Sequence, residues 1–230
     1  MESLGHGVHR MSVGSNAYLV DGDDGVVLVD TGIPGRLPRI RDALRGLGRG
    51  VEDLRAVLIT HAHPDHVGSA AAVIQGGGNH VCMSPHDATV ARGHAAMEAP
   101  PMMDLFGPLK GLFALAPKPD PVRVDHEVTE LDGSGLPEDW QVVETPGHTV
   151  GHVSFLLDRA GGLLFAGDTA MVSRRGTVVR GVMNGRSRAV DASIARLAEH
   201  RFDAAYFGHG RPLTSGAAAA FRRYAESRRT

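Results

Sequence analysis

Apolar residues fall into short continuous runs bounded by glycine or acidic residues, and into a few longer stretches with a helical repeat. Asn16-Ala-Tyr-Leu-Val20 and Gly25-Val-Val-Leu-Val-Asp30 predict a hairpin closed by Asp21-Gly-Asp-Asp-Gly25, whose acidic and glycine residues suit a turn. Ala56-Val-Leu-Ile-Thr60, rich in β-branched residues, predicts a buried strand, and His80-Val-Cys-Met83 is strand-like. Further strands are expected near 121–131, 139–145, 152–158, 162–167 and 203–207. Leu37, Ile40, Leu44 and Leu47 give residues 36–48 a helical period. Helices are also expected near 66–76, 85–97, 190–200 and 216–228. The order is strands, helices, then strands again, without strict alternation. It predicts an α/β (α+β) chain in which two mixed β-sheets face each other with helices outside.

Composition changes this picture little. The 230 residues are 42% hydrophobic and 22% charged, which suits one compact domain over residues 1–230. A formal charge of −2 leaves no basic footprint for nucleic acid, and the Arg174-Arg175, Arg222-Arg223 and Arg228-Arg229 pairs read as solvated surface. No run approaches the 18 or more apolar residues of a membrane helix, and no N-terminal signal pattern is present, so a cytoplasmic location away from membranes is expected. The single cysteine, Cys82, cannot form an intrachain disulfide and reads as a small buried hydrophobe.

One stretch, residues 99–121, is too apolar for a solvated loop yet carries prolines at both ends. It reads either as a short helix on the core or at a homodimer contact, or as an apolar cover over a functional site, where methionines suit varied ligands. A second candidate wall is the segment 173–188, whose arginines either meet a substrate carboxylate or face solvent.

Residues 61–66 read His-Ala-His-Pro-Asp-His, three imidazoles and a carboxylate within six positions. These are the donors that Zn²⁺ and Fe²⁺ accept from proteins without thiolate, and packing alone does not call for such a cluster. The strand before it places the cluster on a loop at a strand end, with Pro64 expected to keep the next residues out of a regular helix. A helix beginning near Val67 would put Asp65 and His66 at its first turn, where its dipole favours a carboxylate. Three further residues share that context: His148 in Pro-Gly-His-Thr, Asp168 in Gly-Asp-Thr and His209 in Phe-Gly-His-Gly each follow an expected strand beside a glycine. Glycine lets the backbone turn sharply near a bound ion.

This ordered set, together with Leu28-Val-Asp30-Thr-Gly32, resembles the metallo-β-lactamase-fold hydrolase superfamily over about residues 13–213. The resemblance implies a four-layer αββα sandwich with metals at one edge between the sheets. It implies that His61, His63 and His148 hold one ion, that Asp65, His66 and His209 hold a second, that Asp168 bridges them, and that Asp30 stands behind the metal loop. Lactamases of the best-known subclass carry Arg in the place of His66 and Cys in the place of Asp168. The pattern here is therefore that of the dinuclear branch containing glyoxalase II and lactonases. Only 21 residues follow His209, which is expected to be too few for the glutathione-gripping segment of glyoxalase II. Nucleases of the superfamily carry insertions that no stretch here matches.

The expected cofactors are two divalent metal ions, Zn²⁺ first, with Fe or Mn as alternatives. The expected reaction is cleavage of an ester, lactone or thioester of a small apolar molecule by a metal-bridging hydroxide, with Asp65 and Asp168 as catalytic residues. Asp65 would relay a proton. Gly-x-Ser-x-Gly, the setting of a serine nucleophile, is absent. Two alternatives stay open: β-lactam hydrolysis, and an oxidoreductase like the persulfide dioxygenases, which use one iron held by two His and one Asp.

Overall fold

The computed structural model describes residues 1–97 and 118–228. Seven strands form the first sheet in chain order: β1 (Glu2–Gly5), β2 (Val8–Ser12), β3 (Asn16–Gly22), β4 (Gly25–Val29), β5 (Leu54–Leu58), β6 (Val81–Met83) and β7 (His126–Glu127). Pairing is antiparallel from β1 to β4 and parallel from β4 to β7. The second sheet holds β8 (Trp140–Glu144), β9 (Val153–Leu157), β10 (Leu163–Gly167) and β13 (Ala204–Phe207), in the order β13-β10-β9-β8. Its β13 is parallel to β10 and the other pairs are antiparallel. A small hairpin, β11 (Ala170–Val172) with β12 (Val178–Arg180), follows β10. The helices are α1 (Leu37–Arg45), α2 (Pro64–Val67), α3 (Ala70–Gln75), α4 (Pro85–Ala91), α5 (Ser187–Leu197) and α6 (Ala217–Glu226).

Strand alternation sorts the apolar residues into three cores, and three cores separate four layers. Leu19, Val26, Leu28 and Val57 pack with Ile40 and Leu44 of α1 and Val73 of α3. Their neighbours Tyr18, Val27, Val29 and Leu58 point the other way and meet Trp140, Phe155, Phe165 and Tyr206 of the second sheet. Beyond that sheet, Leu164, Ala205 and Phe207 pack with Ile194 of α5 and Phe221 of α6. The two facing mixed sheets and the outer helices expected from the sequence are therefore present.

Hydrogen bonds lock the sheets together at one end. The Tyr18 hydroxyl donates to the Phe207 carbonyl at 2.7 Å and accepts from the Phe207 amide at 3.1 Å. Asn16 Nδ2 donates to the carbonyls of Phe207 and Gly210, at 2.9 and 2.8 Å. The start of β3 thus fixes the loop that carries His209.

Several boundaries differ from the periodic pattern. Pro64 begins α2 instead of opposing a helix: at the first helical position its missing N–H costs nothing and its fixed φ suits the turn. The helix expected over 66–76 is two helices, divided at Gly68-Ser69, where Pro34 packs in the space a Cβ at position 68 would need, 2.5 Å away. The helix expected over 85–97 stops at Ala91, and Gly93 turns the chain with φ +78°. Of the strand expected over 121–131 only His126–Glu127 remains, since the Val122 amide bonds to Ala91 and that of Asp125 to Val81 outside the ladder. Hairpin β1-β2 was not predicted, because β1 is an edge strand with mostly exposed side chains and no alternation.

Cys82 is buried as expected, donates to the Gly135 carbonyl at 3.3 Å, and has its thiol pushed up to about 12 by burial. Among the described residues no helix is long and apolar enough to cross a membrane. Residues 99–117 of the expected apolar cover lie outside the described residues.

Candidate metal centre

All seven candidate ligands meet at the end of the sandwich where the two sheets are pinned. His61 and His63 follow β5, Asp65 and His66 sit in α2, His148 lies beyond β8, Asp168 follows β10 directly and His209 follows β13. His61, His63 and His148 offer nitrogens within 4.8 Å of one another, as do the donor atoms of Asp65, His66 and His209. Asp168 stands between the groups: its Oδ1 is 3.5 Å from His66 Nε2, and its Oδ2 is 3.5 Å from His148 Nε2 and 3.4 Å from His209 Nε2. Gly208 makes this approach feasible, because a Cβ there would lie 2.1 Å from Asp168 Oδ1.

A second layer of hydrogen bonds aims these atoms inward. His66 Nδ1 donates to Asp30 Oδ2 at 2.8 Å, which leaves Nε2 turned to the centre without a hydrogen-bond partner. Thr60 Oγ1 donates to Asp30 and receives His61 Nδ1 at 3.0 Å, so His61 Nε2 is turned toward His63 and the centre. One carboxylate therefore sets two rings. Asp30 adopts φ 58°, a left-handed conformation rare outside glycine, and its hydrogen bonds from His66, Thr60 Oγ1 and the Thr60 amide hold it there. The His66 carbonyl accepts from both the amide and the hydroxyl of Thr31, tying α2 to the end of β4. On the other side Asn184 Oδ1 faces His148 Nδ1 at 3.4 Å, while its Nδ2 donates to the Gly181 carbonyl.

The electrostatics of the two groups are opposite. Burial and neighbouring imidazoles push His61 well below the usual histidine range and bring His63 to about 3; burial also lowers His148. Burial opposes protonation of His66 as well, but the Asp168 and Asp30 carboxylates outweigh it and raise the ring to about 9. Hydrogen bonds to Asp168 and Asp65 raise His209 to about 10. Burial would raise Asp65, yet the His209 hydrogen bond and the His66 charge bring it to about 2; Asp168 is held ionised mainly by His66, against burial.

The donor set fits divalent cations. His66 Nε2 and Asp168 Oδ1 are buried side-chain atoms without a hydrogen-bond partner, a costly state that a shared cation relieves. Nε2 of His61 and Nε2 of His148 both face Nδ1 of His63, at 3.0 and 2.8 Å, so lone pairs crowd one point.

Sequence reasoning missed His152, Thr60, Asn184 and Asp87. His152 is buried and held neutral by burial; its Nε2 accepts the Asp168 amide at 3.1 Å, and its Nδ1 meets Thr145 Oγ1 at 2.8 Å. It thereby fixes the backbone of Asp168. Its only signal was a second histidine after Pro-Gly-His-Thr. Of the second candidate wall, Asn184 touches the centre, while Arg174, Arg175, Arg186 and Arg188 are exposed and Arg180 pairs with Asp191 at 3.6 Å.

Residues 12–215 match the metallo-beta-lactamase superfamily, and the chain belongs to it. It is 35% identical over 169 residues to the uncharacterized protein YobT of Bacillus subtilis, covering 72% of this chain and 66% of that protein. It is 33% identical over 158 residues to a hydroxyacylglutathione hydrolase of Methylobacillus flagellatus, covering 67% of this chain but 47% of that enzyme. The chain thus spans about half to two thirds of these two relatives. Among solved structures, the metallo-beta-lactamase family protein TTHA1429 of Thermus thermophilus matches 98% of the chain and 79% of its own at 27% identity, with a TM-score of 0.68. The metallo-beta-lactamase MIM-2 matches 96% of the chain and 84% of its own at 26% identity, with a TM-score of 0.70.

Proposed function

We propose that the protein holds two divalent metal ions, zinc before iron or manganese, and hydrolyses an ester, lactone or thioester of a small apolar molecule. The observation that carries this reading is the convergence of seven His and Asp side chains around the orphaned atoms His66 Nε2 and Asp168 Oδ1. His61, His63 and His148 would hold one ion, Asp65, His66 and His209 the other, and Asp168 would contact both. Bound ions of this kind polarise a carbonyl, stabilise its developing oxyanion and bring the pKa of a bound water toward neutrality.

The chain's own residues supply the rest. Asp30, Thr60 and Asn184 keep the ring nitrogens of His61, His66 and His148 in the ligating tautomer. Asp65, ionised at neutral pH and about one-third exposed, can accept a proton from the reacting water and pass it to solvent. Preference for an apolar acyl group rests on the sequence of residues 99–121, and the hydroxyacylglutathione hydrolase relative favours including thioesters.

The likeness to MIM-2 favours a second reading, β-lactam hydrolysis. Metal analysis combined with a panel of lactones, esters, thioesters and β-lactams separates the two. Two ions per chain with turnover of acyl esters or thioesters supports the first reading; one tightly bound ion in metal-replete protein, or turnover confined to β-lactams, overturns it.

A further inference from the structure

A carboxylate outside the ligand set joins two of the ligand loops. Asp87 lies in the first turn of α4 and is 1% exposed. Its Oδ2 accepts from the Ala62 amide at 2.9 Å and from Thr149 Oγ1 at 2.8 Å. Its Oδ1 accepts from the Gly151 amide at 3.1 Å and lies 3.3 Å from His86 Nδ1. Ala62 separates His61 from His63, and Thr149 follows His148. A Cβ on Gly151 would fall 2.5 Å from Asp87 Oδ1, so the loop closes tightly on the carboxylate. Its hydrogen bonds land beside one group of ligands: His66 is held by Asp30 and Thr31, the Asp168 amide by His152, the Asp65 carbonyl by Ser15 and the His209 loop by Asn16 instead.

We propose that Asp87 is a positioning residue that sets the spacing of the His61–His63 and His148 loops, while the other half is held by His152 and by Asp30, which also orients the His61 ring through Thr60. The inference rests on the two-metal reading. Its physical basis is that three nitrogens on two loops, with His63 and His148 85 residues apart, must converge to within bonding distance of one ion. A buried carboxylate accepting from both loops fixes their separation, because each donor would otherwise be left unsatisfied. Asparagine cannot replace it. Whichever way the amide turns, its NH₂ meets a backbone N–H, that of Ala62 or that of Gly151.

The test compares wild type with Asp87→Asn, Thr149→Ala and Thr149→Ser, using Zn²⁺ competition against a chelator to resolve the two affinities. Asp87→Asn is expected to weaken one ion by about 10–100-fold and leave the other within twofold. Thr149→Ala should weaken the same ion less, and Thr149→Ser, which keeps the hydroxyl, should restore it. Adding Asp87→Asn to His148→Ala should bring little further loss, whereas adding it to His209→Ala should bring the full loss. Equal weakening of both ions, no weakening, or a serine variant as poor as the alanine one overturns the proposal. If Asp87→Asn does not fold, the Thr149 pair decides. Amide exchange of the metal-free protein keeps this result separate from the two-metal reading: wild type taking up fewer than two ions counts against that reading. The brace itself is rejected if the Ala62 and Gly151 amides exchange no faster in the Thr149→Ala or Asp87→Asn protein.

Discussion

The two halves of the centre both use imidazoles but hold them in different protonation states. His61, His63 and His148 are pushed toward the neutral form by burial and by one another, whereas His66 and His209, beside Asp65, Asp168 and Asp30, are raised to about 9 and 10. Desolvation acts on both sets, so the carboxylates make the difference. The triad can therefore accept a cation at neutral pH without releasing protons. In the other half two imidazoliums neutralise the carboxylates until a metal displaces their protons. Asp168 touches both and couples them.

The largest expected effect removes that coupling. Asp168→Ala should reduce hydrolysis by about 10²–10³-fold while circular dichroism shows an intact fold, since the sheets do not depend on this side chain. Near-wild-type turnover would break the proposed mechanism. His209→Ala and His148→Ala should then separate the halves, each lowering occupancy of one ion more than the other in chelator competition. Equal losses in both variants would show that the halves act as one unit.

Asp30→Asn should weaken metal binding by about 10–100-fold, because it disturbs His66 directly and His61 through Thr60. The loss should be larger at the His66 side. Proton release gives a finer contrast. Between pH 7 and about 9, affinity at the Asp65–His66–His209 side should climb by up to about tenfold per pH unit for each proton displaced, while affinity at the triad stays nearly flat. Parallel slopes measured by competition titration would contradict the assigned protonation states.

The smallest effect is on melting of the metal-free protein. His63 has a depressed pKa, so below its ordinary value of 6.5 the unfolded chain binds more protons and stability falls as pH drops toward about 3. His66 and His209 have raised values, so their contribution is complete below 6.5 and is lost as pH rises through about 9 to 10. The Tm should pass a maximum near pH 6.5 and decline by a few degrees on each side. His148→Ala should flatten the acid limb and His209→Ala the alkaline one.

The seven converging side chains and the strands before them were legible in the sequence because both signals are local. A ligand type beside a glycine at the end of an apolar run needs no knowledge of the rest of the chain, as Gly167-Asp168 and Gly208-His209 illustrate. Asp87 was hidden for a related reason. Ser84-Pro-His-Asp87 carries the pattern of a helix start, and Ser84 does cap α4, but nothing local tells that the carboxylate reaches Ala62 and Thr149 instead.

The sequence by itself determined the donor inventory, the alternation that splits apolar residues among three cores, and the resemblance to the metallo-beta-lactamase superfamily. Tertiary structure alone decided that the donors converge, that His152 holds the Asp168 amide, that Thr60 links Asp30 to His61, and which histidines are pushed toward the charged form. Residue type fixes what an atom can donate or accept. Whether it is desolvated, and whether a carboxylate or another imidazole faces it, depends on packing between segments as distant as His63 and His148, and that packing sets its charge and its partner.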